Sequence, residues 1–147
     1  MKLQTKFQEE IEMHENDVVT FENGIPGFED EKKFIVLPLE DSPFSILQSV
    51  TTKELAFVMA DPFSFFKDYE FTLPDSVIEQ LDIHSEEDLF IQVIITLGET
   101  LHQSTANLQA PVIMNKRNNK GKQVVLNDAN YTTRHPIKMA APAGQEG

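Results

Sequence analysis

The sequence predicts a mainly β protein, because short apolar stretches recur along it and helical patterns are scarce. Nine candidate strands are separated by turn residues at intervals of roughly ten residues, a spacing typical of an antiparallel sandwich or barrel. No Gly-x-Gly-x-x-Gly motif follows a strand, so the pattern does not support a dinucleotide-binding parallel sheet. A length of 147 residues and a hydrophobic content of 40% fit one globular domain.

The first candidate strand, Leu3–Met13, alternates apolar and polar residues only in part. The other eight are rich in β-branched, aromatic or aliphatic residues, as half-buried strands usually are. In chain order these eight are Val18–Phe21, Lys33–Leu37, Phe44–Gln48, Leu55–Met59, Tyr69–Leu73, Leu89–Leu97, Pro111–Met114 and Gln123–Leu126.

Two segments have helical character. Pro74–Leu81 begins with Pro and Asp, which favour a helix start, and carries Val77, Ile78 and Leu81 on one face. Residues Glu29–Lys33 are long enough for one helical turn. The sequence therefore predicts one or two short helices beside the strands.

Two segments predict turns. In Gly24–Glu29, Pro26 presets φ at the second position of a type II turn, and Gly27 allows the positive φ that comes next. Ile25 and Phe28 then flank a rigid corner between strands. Between two candidate strands, Asn115–Lys122 predicts a hairpin loop in which Gly121 is available for positive φ.

The charge of the chain is strongly negative and unevenly placed. The net charge is -12, with 22 acidic and 6 basic side chains in residues 1–100 and 2 acidic and 6 basic side chains in residues 101–147. Such a surface repels nucleic acid and attracts cationic partners. A chain without cysteine, without an apolar leader at Met1–Lys6 and without a membrane-length apolar run is expected in the cytoplasm.

No motif for catalysis, metal or cofactor binding is found. The four histidines are isolated, there is no thiol, and no serine lies in a Gly-x-Ser-x-Gly motif. Ser85–Asp88 could attract a hard cation, but a capped turn before a strand is the favoured interpretation. The basic hairpin 116–122 could contact RNA phosphates, although a solvated hairpin tip is favoured against the acidic remainder.

The segment Ala60–Phe71, called here the aromatic–acidic segment, is the main candidate site. It places five of the thirteen aromatic residues within nine positions and intersperses carboxylates among them. Aromatic side chains rimmed by acids are more typical of a protein-binding surface than of a catalytic pocket. The predicted partner-binding residues are Asp61, Phe65, Phe66, Asp68, Tyr69 and Glu70. Phe63, Tyr69 and Phe71 could instead fill a barrel.

Together these segments resemble the FliW family of bacterial flagellar assembly factors. The resemblance spans residues from about 20 to 136 and rests on several short motifs in the family's order. These motifs are Gly24–Glu29, Ala60–Phe63, Asp68–Phe71, Ala106–Asn115 and Tyr131–Pro136. The remaining C-terminal residues lie outside it, so we predict a domain at 1–137 and a disordered tail at 138–147.

The resemblance implies a small antiparallel β-barrel-like domain that is not an enzyme, needs no cofactor and is monomeric when free. Family members bind CsrA, a dimeric RNA-binding translational regulator, at a surface away from its RNA site, and relieve repression of flagellin translation. They also bind flagellin, which sequesters them. The resemblance implies no direct binding of nucleic acid or membrane. The alternative that the residues leave open is an acidic small barrel that binds RNA or carbohydrate through its loops.

Overall fold

In the computed structural model, residues 2–100, 103–127 and 130–137 are described, and their strands form a closed β-barrel with two short helices. The predicted tail at 138–147 lies outside the described residues. The strands are β1 Lys2–Leu3, β2 Ile11–Glu12, β3 Val18–Thr20, β4 Lys33–Pro38, β5 Phe44–Ser49, β6 Ala56–Ala60, β7 Leu89–Thr96, β8 Thr105–Ala106, β9 Val112–Asn115, β10 Lys120–Gln123 and β11 His135–Pro136; the helices are α1 Pro62–Phe65 and α2 Asp75–Gln80.

The barrel has seven strands in the order β7-β6-β5-β4-β3-β10-β9, and β9 pairs back with β7. Closure depends on the length of β7. Its first half, Leu89–Gln92, pairs with β9, whereas Val93–Ile95 pairs with β6. Every neighbour is antiparallel except β3 and β10, which are parallel and share the single pair Thr20–Lys120. Of the two predicted architectures, the barrel is confirmed.

Side chains fill the barrel interior. Alternate residues of each strand point inward, and a cluster of fully or nearly buried side chains results. The rings of Phe21 and Phe34 pack edge to face with centroids 5.4 Å apart, and burying each such side chain contributes about 1.5–3 kcal/mol. The interior cluster contains Val19, Phe21, Ile25, Phe34, Leu47, Met59, Val112 and Met114.

A second core covers the outer face of the sheet formed by β5, β6, β7 and β9. There Val77 of α2 and Leu81 at the end of that helix pack on strand residues such as Val93 and Ile113. The N-terminal hairpin β1–β2 covers the outside of β4 in the same way, through Leu3 and Met13 on Ile35. The outer face is therefore the layer that positions both helices.

Several elements differ from the prediction. Leu3–Met13 forms the two-residue strands β1 and β2 rather than one strand. Tyr69–Leu73 joins no strand; side-chain hydroxyl groups, of Tyr69 to the Leu108 carbonyl and of Tyr131 to the Glu70 backbone, hold it in place of a backbone ladder. Glu29–Lys33 is not helical; it is a turn that leads into β4 at Lys33. Gln123–Leu126 has only Gln123 within β10. The helix at Pro74–Leu81 is confirmed as α2, with Pro74 as its N-cap.

The hairpin between β9 and β10 also differs in detail. Its loop is residues 116–119, and Asn119 rather than Gly121 adopts a positive φ of 57°; asparagine tolerates this conformation better than most residues. Gly121 lies within β10, where an added Cβ would come within 2.7 Å of the Phe21 ring. Gly121 is thus needed for close packing rather than for a turn.

The predicted turn at Gly24–Glu29 is present. Gly27 has φ of 89°, and the Phe28 N–H donates to the Ile25 carbonyl over 2.6 Å. Ile25 enters the barrel interior, and Phe28 packs edge to face on Phe57 with centroids 5.7 Å apart. No helix of the described residues is long and apolar enough to cross a membrane.

Gly24 and Gly27 allow a matched test of this corner. Both have positive φ, but a Cβ at Gly24 would lie 2.5 Å from the Glu29 backbone, whereas a Cβ at Gly27 would meet nothing within 4 Å. We expect Gly27→Ala to cost about 1 kcal/mol of unfolding free energy and Gly24→Ala at least about 2 kcal/mol, measured by urea denaturation. Equal costs would show that steric contact with Glu29 does not constrain the turn.

Candidate partner-binding surface

The aromatic–acidic segment begins where β6 ends and α1 starts. Asp61 is the N-cap of α1, and its carboxylate accepts a hydrogen bond from the Phe63 N–H over 2.9 Å. Pro62 follows at the first helical position, where its missing N–H costs nothing. Asp61 is exposed, so its charge is available at the surface even though the side chain also fixes the helix start.

Phe65 and Phe66 point in different directions and are both partly buried. Phe65 stacks on Phe44 with centroids 6.1 Å apart and an interplanar angle of 14°. Phe66 packs edge to face on His135 with centroids 5.2 Å apart. Each ring therefore uses one side to attach α1 to the barrel, and each keeps an accessible part.

Tyr69 is buried, unlike the other five predicted site residues. Its exposed fraction is 4%, and its hydroxyl donates to the Leu108 carbonyl over 2.7 Å. Burial, together with the neighbouring Tyr131, raises the pKa of Tyr69 well above its usual range. Its ring contacts the rings of Phe63, Phe71 and Tyr131. The side chain thus anchors the segment and does not face a partner.

Tyr131 supplies a second anchor that the site prediction did not include. Its hydroxyl accepts a hydrogen bond from the Glu70 N–H and donates one to the Glu70 carbonyl, both at 3.1 Å. With Tyr69 and the Glu70 backbone held, the side chains of Asp68 and Glu70 are exposed. Neither carboxylate forms an ion pair with a described residue.

Phe63 also differs from the expectation that it could fill the barrel. It is 43% exposed and lies over Tyr69 at the edge of a groove. The groove has a volume of about 800 Å³ and an apolar floor rimmed by carboxylates of Asp61, Glu70 and Glu86. The floor includes Phe71, Leu73, Ile78, Ile83, Leu89 and Ile91.

The far wall of the groove, at the end of α2, is held by the β9–β10 hairpin. The Asn115 amide donates to the carbonyls of Leu81 and Asp82 over 2.8 and 3.1 Å. Arg117 donates to the Asp82 carbonyl and forms ion pairs with the Asp82 and Asp88 carboxylates. Hydrogen bonding from Arg117, and then from His84, lowers the pKa of Asp82.

The capped turn predicted at Ser85–Asp88 is present directly before β7. Asp88 accepts hydrogen bonds from the backbone N–H groups of His84 and Ser85 over 3.2 and 3.3 Å. The Asp88 carboxylate therefore accepts hydrogen bonds from the backbone of its own turn. Within residues 2–100, 103–127 and 130–137, no group of three His, Asp or Glu side chains is arranged to hold a metal ion.

The chain is similar to known proteins over nearly its whole length. The family model described as FliW protein matches residues 2–137. The flagellar assembly factor FliW of Geobacillus kaustophilus is 53% identical over 143 residues, 95% of this chain and 99% of that protein. The protein of the same name from Bacillus subtilis is 51% identical over 138 residues, covering 93% and 96%.

A solved structure shows the same fold. The crystal structure of a flagellar assembly factor FliW superposes with a TM-score of 0.88 at 49% sequence identity, and covers 95% of this chain and 98% of that one. The fold described above is therefore shared with that structure.

The anchoring role of Tyr69 can be tested through its hydroxyl. Tyr69→Phe leaves the buried Leu108 carbonyl without a donor, which should lower the unfolding free energy by about 1–3 kcal/mol at pH 7. Because the raised pKa favours ionisation in the unfolded state, the wild-type protein should lose stability as the pH rises above about 10. The difference between the two proteins should then shrink in urea denaturation.

Tyr131→Phe is the matched control, because its hydroxyl bonds an exposed backbone and should contribute less. A difference between wild-type protein and Tyr69→Phe that stays constant from pH 7 to pH 11 would contradict a buried, proton-retaining hydroxyl.

Proposed function

The chain belongs to the FliW family, and on that premise we propose that it is a cytoplasmic flagellar assembly factor that acts by binding proteins and not by catalysis. Its partners are CsrA and flagellin. The observation that carries the proposal is the exposed, anchored set of carboxylates beside the apolar groove. Such a surface suits a basic protein partner, which RNA-binding regulators such as CsrA tend to be.

The proposed mechanism is an exchange of partners. When flagellin accumulates in the cytoplasm, it occupies this protein and leaves CsrA free to repress flagellin translation. When flagellin is secreted, the released protein binds CsrA and relieves the repression. The family resemblance favours binding away from the RNA site of CsrA, and therefore allosteric inhibition, over direct occlusion of that site.

The electrostatics of the segment support attraction of a basic partner. Asp68 and Glu70 carry charges that no described residue neutralises, on a chain whose net charge is -12. Exposed charges of this kind accelerate encounter with a cationic protein and are screened by salt over about 10 Å. Phe63, 43% exposed, offers apolar contact area next to them.

The alternative, an RNA- or carbohydrate-binding barrel, has weaker support. It depends on the basic hairpin 116–122, and Arg117 of that hairpin is engaged with Asp82 and Asp88. That arginine holds the end of α2, so a phosphate group would have to compete with two carboxylates for it.

We expect purified CsrA to bind this protein and flagellin to displace CsrA from it. In isothermal titration calorimetry, Asp68→Lys should raise the Kd for CsrA about tenfold. Reversing a surface charge replaces attraction by repulsion, and a tenfold change corresponds to about 1.4 kcal/mol. The wild-type affinity should fall as the salt concentration rises from 50 to 150 mM, and that of Asp68→Lys should fall less.

Glu54→Lys is the matched control, because Glu54 is an exposed acid before β6, at the opposite end of that strand from Asp61. It should leave the Kd within about twofold. An equal loss in both variants would indicate a general charge effect. Failure of CsrA and flagellin to bind the wild-type protein would overturn the proposed function.

A further inference from the structure

The barrel seam between β3 and β10 opens at one end. The two strands meet in parallel only at Thr20 and Lys120, where the Thr20 N–H donates to the Asn119 carbonyl. Beyond Thr20 the chain turns away, since the Phe21 N–H donates to the Lys32 carbonyl and the Gly24 N–H to the Phe21 carbonyl. Among the described residues, β10 and the residues after it therefore continue without a neighbouring strand on that side.

This leaves an unpaired sheet edge at Gln123–Val125. The N–H groups of Val124 and Leu126 donate inward, to the carbonyls of Pro111 and Gln109 over 2.9 and 2.7 Å. Backbone groups alternate in direction along an antiparallel strand, so those of Gln123 and Val125 point to the other side. Across the part of the chain that the structure describes, no backbone group bonds to them.

An apolar depression lies beside that edge. It has a volume of about 360 Å³ and a mostly apolar surface, lined by Ile25, Pro26, Phe57, Ile94, Ala110 and Val125 together with the polar residues Asn107, Gln109, Gln123 and Thr133. Val125 is 62% exposed, more than any other large hydrophobic side chain that the structure describes, and Phe28, 44% exposed, lies nearby on Phe57. Unpaired backbone groups and apolar area thus occur at the same place.

We propose that this edge and depression bind an extended peptide segment of a protein partner, which adds one strand to β10. Only an extended chain presents backbone donors and acceptors at the spacing of a strand edge, and its alternate side chains can enter the depression. A helix would leave the Gln123 and Val125 groups unpaired. The inference rests on the proposed function in one respect: CsrA and flagellin supply the probes.

The proposed strand-addition site is separate from the acid-rimmed groove. It contains Phe57 of β6, whereas the groove contains Asp61 at the other end of the same strand. Four strand residues correspond to about 13 Å. A partner at one site can therefore be distinguished from a partner at the other.

Amide hydrogen exchange tests strand addition directly. The protein is mixed with purified CsrA or purified flagellin, complex formation is verified by size-exclusion chromatography, and exchange is followed by mass spectrometry at residue resolution. We expect the amides of Gln123 and Val125 to exchange at least about tenfold more slowly with one of the two partners. Unchanged exchange at both amides in both complexes would overturn the inference while leaving the proposed function intact. If neither complex forms, both fail.

Substitutions at Val125 separate backbone pairing from side-chain contact. Val125→Pro removes an outward N–H, and proline is tolerated at such edge positions. We expect it to weaken binding of the protecting partner at least about tenfold, whereas Val125→Thr, which keeps the N–H and the branched shape, should change binding less than about threefold. Equal affinity of folded Val125→Pro and wild-type protein would overturn the inference. If Val125→Pro does not fold, the exchange measurement decides.

Discussion

The buried hydroxyl of Tyr69 is the contact on which the candidate surface depends. The chain between α1 and α2 joins no strand, so no ladder of backbone hydrogen bonds fixes its position. Tyr69 fixes it instead, through the Leu108 carbonyl and the packed rings around it, and Tyr131 adds a second attachment at Glu70. The exposed carboxylates of the segment are therefore presented from a rigid base rather than from a free loop.

The two ends of the barrel strands border two different surface features. β7 is long enough to pair with β9 at one end and with β6 at the other, so it closes the barrel. One end of β6 and β7 borders the acid-rimmed groove, which α2 and the Asn115 and Arg117 contacts enclose. The other end borders the open seam near Val125.

The sequence predicts the elements whose signals are local. Strand alternation, the Pro26–Gly27 turn and the start of α2 are all recognisable in this way. It does not predict contacts made across the fold. Whether Tyr69 faces the core or the solvent depends on Leu108, 39 residues away, and the same alternation fits both. The local sequence around Gly121 favours a turn, and only the fold shows that the Phe21 ring packs against this glycine.

We propose that the surface around Asp68 contacts CsrA, and site-specific photo-crosslinking in cells tests this contact. A photoreactive phenylalanine derivative replaces Asp68 in one strain and Glu54 in another, both exposed positions. After irradiation, we predict a covalent adduct with CsrA from position 68 and none from position 54. An adduct from position 54 with none from position 68 would show that CsrA binds a different surface of the barrel.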